Sequence, residues 1–87
     1  MARYNLAFKK SVAKDLRNIP NKDVKRILKS FELLCKNPRA DGCIKLSGQE
    51  RYRVRQGVYR IVYEIREDEL IILVVKVAHR SVVYKNS

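Results

Sequence analysis

Arginine recurs at every second position at the start of the segment from residue 51 to residue 63, which reads RYRVRQGVYRIVY. Because successive side chains leave a β-strand on opposite faces, Arg51, Arg53 and Arg55 are predicted to share one face of a strand. The planar guanidinium group matches the geometry of phosphate. The spacing therefore predicts a phosphate-binding surface. The alternative is a solvated strand face, which usually mixes both signs of charge.

Gly57 divides this segment at the point where a hairpin turn needs a residue that can take positive φ. A second strand is predicted to begin at about Val58, with Val58, Arg60 and Val62 on one face. Tyr59, Ile61, Tyr63 and Ile65 then occupy the other face. Three or four guanidinium groups would thus lie on adjacent strands of one rigid hairpin.

Before this hairpin, the spacing of the apolar residues changes from that of a strand to that of a helix. Residues 3–8 alternate as a first strand, and from Lys9 the apolar residues Val12, Leu16 and Ile19 recur at helical spacing. Pro20 ends that helix, and Asn21 is the predicted N-cap of a second one. The second helix ends before Asn37-Pro38. Its apolar stripe is Val24, Ile27, Leu28, Phe31, Leu34 and Cys35.

The elements after it complete a sheet. Ile44 and Leu46 are predicted to begin strand pairing ahead of the hairpin, and residues 66–69 form a charged turn. The apolar run that starts at Leu70 shows almost no alternation, which is typical of a central strand covered on both faces. The predicted fold is an α+β domain of order β-α-α-β-β-β. A helical hairpin packs on one face of an antiparallel sheet.

Composition places limits on the class of protein. Eighty-seven residues predict one domain, residues 1–87, with one core. The formal net charge of +11 creates a positive potential that favours a polyanion such as RNA, DNA or an acidic protein. It does not choose among these partners.

Other classes of site lack support in the sequence. Cys35 and Cys43 are predicted to be reduced and partly buried. With one histidine and no paired Cys/His spacing, no metal site or cofactor is expected. No apolar run reaches about 18 residues, so we expect no membrane span and a cytoplasmic protein.

Several motifs together resemble one family, the RelE/ParE superfamily of small toxins from toxin–antitoxin pairs. They are an F-x-K opening before the first helix, NPR at 37–39, KLSG at 45–48, YRVR at 52–55, YRIVY at 59–63 and VAHRSVVY at 77–84. The last three are fairly specific in combination. The resemblance covers the whole chain.

The resemblance implies a function and a set of site residues. Members of the RelE branch are metal-independent mRNA endonucleases that cut messenger RNA in the ribosomal A site and are held inactive by a cognate RelB-like antitoxin. The positions that match the family's catalytic groups are Arg53, Arg55, Arg60, Arg80 and Tyr84. His79 stands where some members have lysine, and relatives in the YoeB branch use a histidine near this end as an acid–base group. Further contacts to RNA are expected from Arg51, Lys45, Lys76 and Lys85.

Two candidates for the general base remain open. The surrounding guanidinium groups would lower the pKa of Tyr84 by favouring the phenolate, while the imidazole of His79 belongs to a type that titrates near neutral pH. Tyr84 is the preferred base and His79 the second. Against function, Tyr84 could instead cover the edge of the core, and His79 could pack inside the domain.

Two rival functions remain. A ParE-like inhibitor of DNA gyrase would share the fold without the catalytic set, and a basic module could bind RNA without cutting it.

Overall fold

The computed structural model describes residues 3–39, 42–46 and 51–80, and these form one mixed sheet and two helices. The elements are β1 (Asn5–Phe8), α1 (Lys10–Arg17), α2 (Asn21–Lys36), β2 (Ile44–Lys45), β3 (Arg51–Gln56), β4 (Tyr59–Arg66) and β5 (Ile71–His79). The strands lie in the order β1-β5-β4-β3-β2. The predicted α+β class is confirmed, and the predicted order β-α-α-β-β-β is correct except that it lacks one strand, the two-residue β2, which lies where Ile44 was predicted to begin strand pairing.

The prediction of a wholly antiparallel sheet was wrong for β1. β2, β3, β4 and β5 pair antiparallel, as short connections require, but β1 pairs parallel to β5 with Asn5 opposite Ile71 and Phe8 opposite Val74. In the sequence, both helices separate β1 from the other strands. This long connection allows β1 and β5 to pair in the parallel direction. The sheet is therefore mixed.

The prediction that β5 forms the middle of the sheet was also wrong. β4 is the central strand, and β5 lies between β1 and β4. Ile72 and Val74 are fully buried, whereas Leu73 and Val75 are half-buried. The near-continuous apolar run thus has one face in the core and one face only partly covered.

Both helices pack on the same face of the sheet, which we call the helix face. Val12 of α1 and Ile27 and Phe31 of α2 are fully buried against Ile61 and Tyr63 of β4. The residues buried in this core number thirteen across the described part of the chain. Neither of the two described helices lies on the opposite face of the sheet, which carries the arginines.

Two details of the helical hairpin differ from the prediction. Pro20, not Asn21, occupies the N-cap position of α2, and Asn21 is the first helical residue. Leu28 lies on the solvent side of the predicted apolar stripe and is 43% exposed. α2 ends at Lys36, immediately before Asn37-Pro38 as predicted.

The β3–β4 hairpin closes as the sequence indicates. Gly57 has a φ of 60°, which favours glycine, and the turn contains only Gly57 and Val58 between the paired residues Gln56 and Tyr59. With the turn fixed, every pair farther out is fixed as well. The arginines of β3 are therefore held in a defined register against β4.

A β-bulge interrupts the pairing of β4 with β5. Val62 lies opposite Lys76, but the next residue, Tyr63, lies opposite Val74, so Val75 is the extra residue. Beyond the bulge β5 runs past the end of β1, and there the carboxylate Oδ2 of Asp15 accepts a hydrogen bond of 3.3 Å from the backbone N–H of Val77. The bulge and this contact set the path of the last part of β5.

Neither helix of the described residues is long and apolar enough to cross a membrane.

A candidate phosphate-binding site on the arginine face

The face of the sheet opposite the helices carries Arg53, Arg55 and Arg60, and we call it the arginine face. Arg55 lies directly opposite Arg60 in the β3–β4 pair. Arg53 lies one row farther from the turn, opposite Val62, which is itself opposite Lys76 of β5. Residues paired across strands share a face. The strand face that alternation predicts for Arg53 and Arg55 therefore also carries Arg60 of the neighbouring strand.

The exposure of these side chains suits a site that receives a ligand. Arg53 and Arg60 are half-buried and Arg55 is exposed. Arg60 belongs to the central strand, which restricts its backbone more than that of an edge residue. Guanidinium groups from two strands thus present donors to the same patch of surface, which can bind a phosphate through several hydrogen bonds.

A carboxylate bounds this patch on the side away from the turn. Glu64 lies opposite Arg51, and its Oε2 accepts a bond of 3.0 Å from Nε of Arg51 while its Oε1 accepts one of 3.1 Å from Arg66. Burial would raise the pKa of Glu64, but the hydrogen bonds from Arg51 and Arg66 outweigh it, and the pKa lies below its ordinary value. Glu64 is therefore ionised at neutral pH, and Arg51 is held by it.

Arg80 follows the end of β5 on the same side as the hairpin turn. Its backbone N–H donates a bond of 2.7 Å to the carbonyl of Val58, and the residue two positions earlier, Ala78, lies opposite Arg60. Arg80 is exposed. Its backbone is therefore anchored to the turn that carries Arg55 and Arg60.

His79 lies on the other side of the sheet. It is opposite Tyr59, and the two rings meet edge to face with their centroids 5.5 Å apart. Tyr59 is buried on the helix face, and His79 lines a cavity there together with Asp15 and Ile19. The structure therefore does not bring His79 together with the arginines.

The other predicted contacts to RNA are divided between the faces. Lys76 is exposed on the arginine face, in the row of Arg53. Lys45 lies opposite Tyr52, whose side chain is buried in the core, so Lys45 points to the helix face of an edge strand. Tyr84 and Lys85 lie outside the described residues.

The cysteines and the acidic residues do not form a second site. Cys35 and Cys43 are free thiols, as predicted, and Cys35 is buried, which raises its pKa. Within residues 3–39, 42–46 and 51–80, no group of three or more histidine, cysteine, aspartate or glutamate side chains could hold a metal ion.

A sheet with one face packed against a helical hairpin and one face that carries arginines defines a small α+β domain with a cationic sheet surface. Residues 6–84 match the model of the family described as the ParE toxin of the type II toxin–antitoxin system parDE. The chain therefore belongs to the RelE/ParE superfamily of toxins from type II toxin–antitoxin systems.

Individual relatives agree with this assignment. The chain is 33% identical to a curated toxin named RelE1 from Methanocaldococcus jannaschii, over 97% of this chain and 98% of that protein. It superimposes with a TM-score of 0.82 on the RelE–RelB complex from Pyrococcus horikoshii, at 28% identity over 95% of this chain and 100% of that one. The isolated RelE toxin of E. coli gives a TM-score of 0.77 at 26% identity, over 93% of this chain and 90% of that one.

Proposed function

We propose that this toxin is a metal-independent endonuclease that cuts messenger RNA in the ribosomal A site and is neutralised by a RelB-like antitoxin. The observation that carries the proposal is the pair formed by Arg55 and Arg60, directly opposite each other across β3 and β4. Like charges directly opposite in a sheet are destabilising. An anion placed between them would turn this repulsion into attraction, so the pair is explained if a phosphate binds there.

The reaction begins at the 2′-hydroxyl of the nucleotide before the cut. A general base removes its proton, the 2′-oxygen attacks the adjacent phosphorus, and the bond from phosphorus to the 5′-oxygen breaks. The 5′-oxygen takes up a proton, and the products are a 2′,3′-cyclic phosphate and a 5′-hydroxyl end. No oxidant, reductant or further reactant is required.

The arginines stabilise the transition state of this step. Negative charge collects on the phosphoryl oxygens, and one well-aimed donor at such an oxygen contributes about 2.7–4 kcal/mol by analogy with oxyanion holes. Arg60 is assigned to the scissile phosphate because it lies on the central strand beside Arg55. Arg53 and Arg80 hold the same phosphate or its neighbours.

The proton transfers need another group, because arginine keeps its proton at any ordinary pH. Tyr84 is proposed as the general base. The position of His79, on the helix face and against Tyr59, supports Tyr84 over His79. A site with so few acid–base groups depends on alignment of its substrate, and the ribosome supplies that alignment by holding the message in place.

An acidic antitoxin is the proposed partner in the resting state. The P. horikoshii relative is a complex of RelE with RelB. In this chain the formal net charge of +11 calls for an acidic partner, and four of the described apolar side chains outside the core remain 43–55% exposed. These are Phe8, Leu28, Leu33 and Ile44. A segment with acidic and apolar residues would cover both kinds of surface.

The test adds the purified toxin to a translating extract. The buffer is either treated with EDTA or left untreated, and both buffers are brought to the same concentration of free magnesium. We expect cleavage of the message only while it is translated, and loss of cleavage with Arg60→Ala. The matched control is Lys29→Ala, which removes an exposed positive charge from α2. Rapid cutting of ribosome-free RNA by the parent protein, or full activity of Arg60→Ala, would contradict the proposal.

Inhibition of DNA gyrase is the second candidate, because the matching family model is that of ParE. A supercoiling assay separates the two functions. The nuclease should leave supercoiling unaffected at concentrations that stop translation. A basic module that binds RNA without cutting it would instead keep its effect in the double variant Arg60→Ala, Tyr84→Phe.

A further inference from the structure

The second half of β5 lies beside a strand on one edge and beside a helix on the other. β1 accompanies β5 from Ile71 to Val74, and the backbone N–H of Lys9 then donates a bond of 3.1 Å to the carbonyl of Val74. After Lys9 the chain enters α1, which packs along the rest of β5. Beyond Val74, the backbone groups of β5 that face away from β4 therefore need partners other than β1.

Asp15 of α1 provides such a partner. Its Oδ2 accepts a hydrogen bond of 3.3 Å from the backbone N–H of Val77, a residue that is 2% exposed. Asp15 lies within the helix, where its backbone carbonyl accepts a bond of 3.2 Å from the N–H of Asn18. One turn earlier, Val12 is fully buried in the core. A helix that is anchored in the core thus holds a carboxylate against the edge of β5.

The N–H groups at the end of β5 alternate between its two edges. The N–H of Arg80 donates a bond of 2.7 Å to the carbonyl of Val58, immediately before β4. Because successive N–H groups of a strand point to opposite edges, that of Ala78 also points toward β4 and that of Val77 points away from it. Asp15 therefore holds the strand from the edge that β4 does not reach, three residues before Arg80.

A cavity of about 350 Å³ borders this part of β5. Asp15, Ile19, Val77 and His79 are among the described residues that line it. Protein interiors are usually packed closely enough to fix an element by contact alone, whereas a cavity leaves room for movement. The hydrogen bond of Asp15 is thus placed where packing by the described residues is incomplete.

We propose that Asp15 is a positioning residue for cleavage, which acts through the N–H of Val77 and not on the RNA. Its carboxylate fixes the end of β5 and with it the place of Arg80 beside the hairpin. This inference rests on the proposed function, which gives Arg80 a role at the phosphate. Three residues of strand span about 10 Å, so a tilt of about 6° at Val77 displaces Arg80 by about 1 Å. A misplacement of about 1 Å can lower the rate of a reaction about 100-fold.

The test compares Asp15→Ala with Asp15→Asn in single-turnover cleavage of messenger RNA on programmed ribosomes, over a range of toxin concentrations. We expect Asp15→Ala to lower the maximal rate about 10- to 100-fold, with little change in the concentration that gives half of that rate, because the groups that bind are retained. Asp15→Asn keeps an acceptor oxygen in the same place. It should therefore restore most of the maximal rate.

Tyr63→Phe is the matched control for a loss of stability. It also removes a hydrogen bond from a side chain to the backbone, but that bond joins β4 to Pro38 and not to the end of β5. Cleavage is measured at a temperature at which thermal unfolding shows every variant to be folded. The inference is overturned if Asp15→Ala slows cleavage no more than Tyr63→Phe does, or if Asp15→Asn is as slow as Asp15→Ala.

Exchange of backbone amide hydrogens locates the effect without ribosomes or RNA. In Asp15→Ala, the amides of residues 77–80 should exchange about 10-fold faster or more, while those of residues 71–74 stay as slow as in the parent protein, because β1 still covers them. A uniform increase across the sheet would overturn the inference, since Asp15 would then stabilise the domain as a whole.

Failure of this inference and failure of the proposed function are distinguishable. If the parent toxin cuts and Asp15→Ala cuts equally fast, the inference fails and the proposed function stands. If the parent toxin does not cut, the proposed function fails, and amide exchange alone decides whether Asp15 holds the end of β5.

Discussion

Arg51 donates its Nε hydrogen to Oε2 of Glu64 at 3.0 Å, directly across the β3–β4 pair, and Glu64 accepts a second bond from Arg66. One carboxylate thus holds two of the many cations of this domain. The side chain of Glu64 is 19% exposed, whereas those of Arg51 and Arg66 are 37% and 48% exposed. The pair lies at the border of the arginine face, where it limits how far the positive surface extends.

Replacing Glu64 should change how stability depends on pH. The pKa of Glu64 is lowered in the folded protein, so its contribution is fully present above the pKa of a free glutamate, about 4.3, and is lost as pH falls through the lower folded value. Glu64→Gln should therefore lower the free energy of unfolding at pH 7 by up to about 1 kcal/mol, since its partners are partly exposed. Below pH 4 the difference should shrink.

Urea unfolding at several pH values measures this difference. Glu69→Gln, an exposed carboxylate in the β4–β5 turn, serves as the control. If the free energy of unfolding of Glu64→Gln stays below that of the parent protein by the same amount down to pH 3, the effect does not come from the ionised carboxylate.

Replacing Tyr63 should test the buried hydrogen bond beneath the sheet. The Tyr63 hydroxyl donates a bond of 2.6 Å to the carbonyl of Pro38, and burial raises the pKa of Tyr63, so the hydroxyl stays protonated. Tyr63→Phe leaves that buried carbonyl without this donor and should cost about 1–3 kcal/mol of stability. The measurement is thermal or urea unfolding of the purified variant.

Tyr4→Phe is the matched control for this change. The Tyr4 hydroxyl donates to Glu67 at 3.1 Å in an exposed contact, so its loss should alter stability by less than about 0.5 kcal/mol. Equal losses for the two variants would mean that burial of the Tyr63 bond contributes nothing extra.

Replacing Arg55 should separate stability from activity. Arg55 and Arg60 are like charges at directly opposite positions, and such pairs are destabilising in a sheet, so Arg55→Gln should raise the free energy of unfolding by about 0.2–1 kcal/mol while it weakens cleavage. Stability is measured by urea unfolding at low salt, where repulsion is least screened. A less stable Arg55→Gln protein, in the absence of RNA, would remove the argument that this pair exists for an anion.

The hairpin was the most predictable part of the molecule. Gly57 fixed the turn, and counting outward from a two-residue turn gives Arg55 opposite Arg60 and Arg51 opposite Glu64, as observed. The ion pair of Glu64 with Arg51 could therefore have been predicted from the hairpin alone. Local chemistry is sufficient here because the two strands are joined directly.

Features that depend on distant parts of the chain could not be predicted in this way. Nothing in the apolar run of β5 indicates that β1 will lie beside it, because that pairing joins residues more than sixty positions apart. The bulge at Val75 changes the faces of the residues around it. Simple alternation therefore groups Val75 with Val77 and His79, whereas Val75 lines a cavity on the arginine face together with Val62, and His79 packs on Tyr59.

For the remaining predicted site residues, too, the position depends on pairing with other strands. Arg53 and Lys76 lie in one row as a consequence of pairing on both sides of Val62, which links three strands. Lys45 was predicted as a contact to RNA from its place in a motif, but its partner Tyr52 fixes it to the helix face. The roles proposed for Tyr84 and Lys85 stay predictions.

The parallel pairing of Asn5–Phe8 with residues 71–74 has a consequence for biosynthesis. β1 acquires its neighbour only after residues 71–74 have been translated, because those residues form the strand beside it. A nascent chain that already contains both helices and strands β2, β3 and β4 therefore still lacks the partner of β1, and this non-local pairing is expected to slow completion of the sheet.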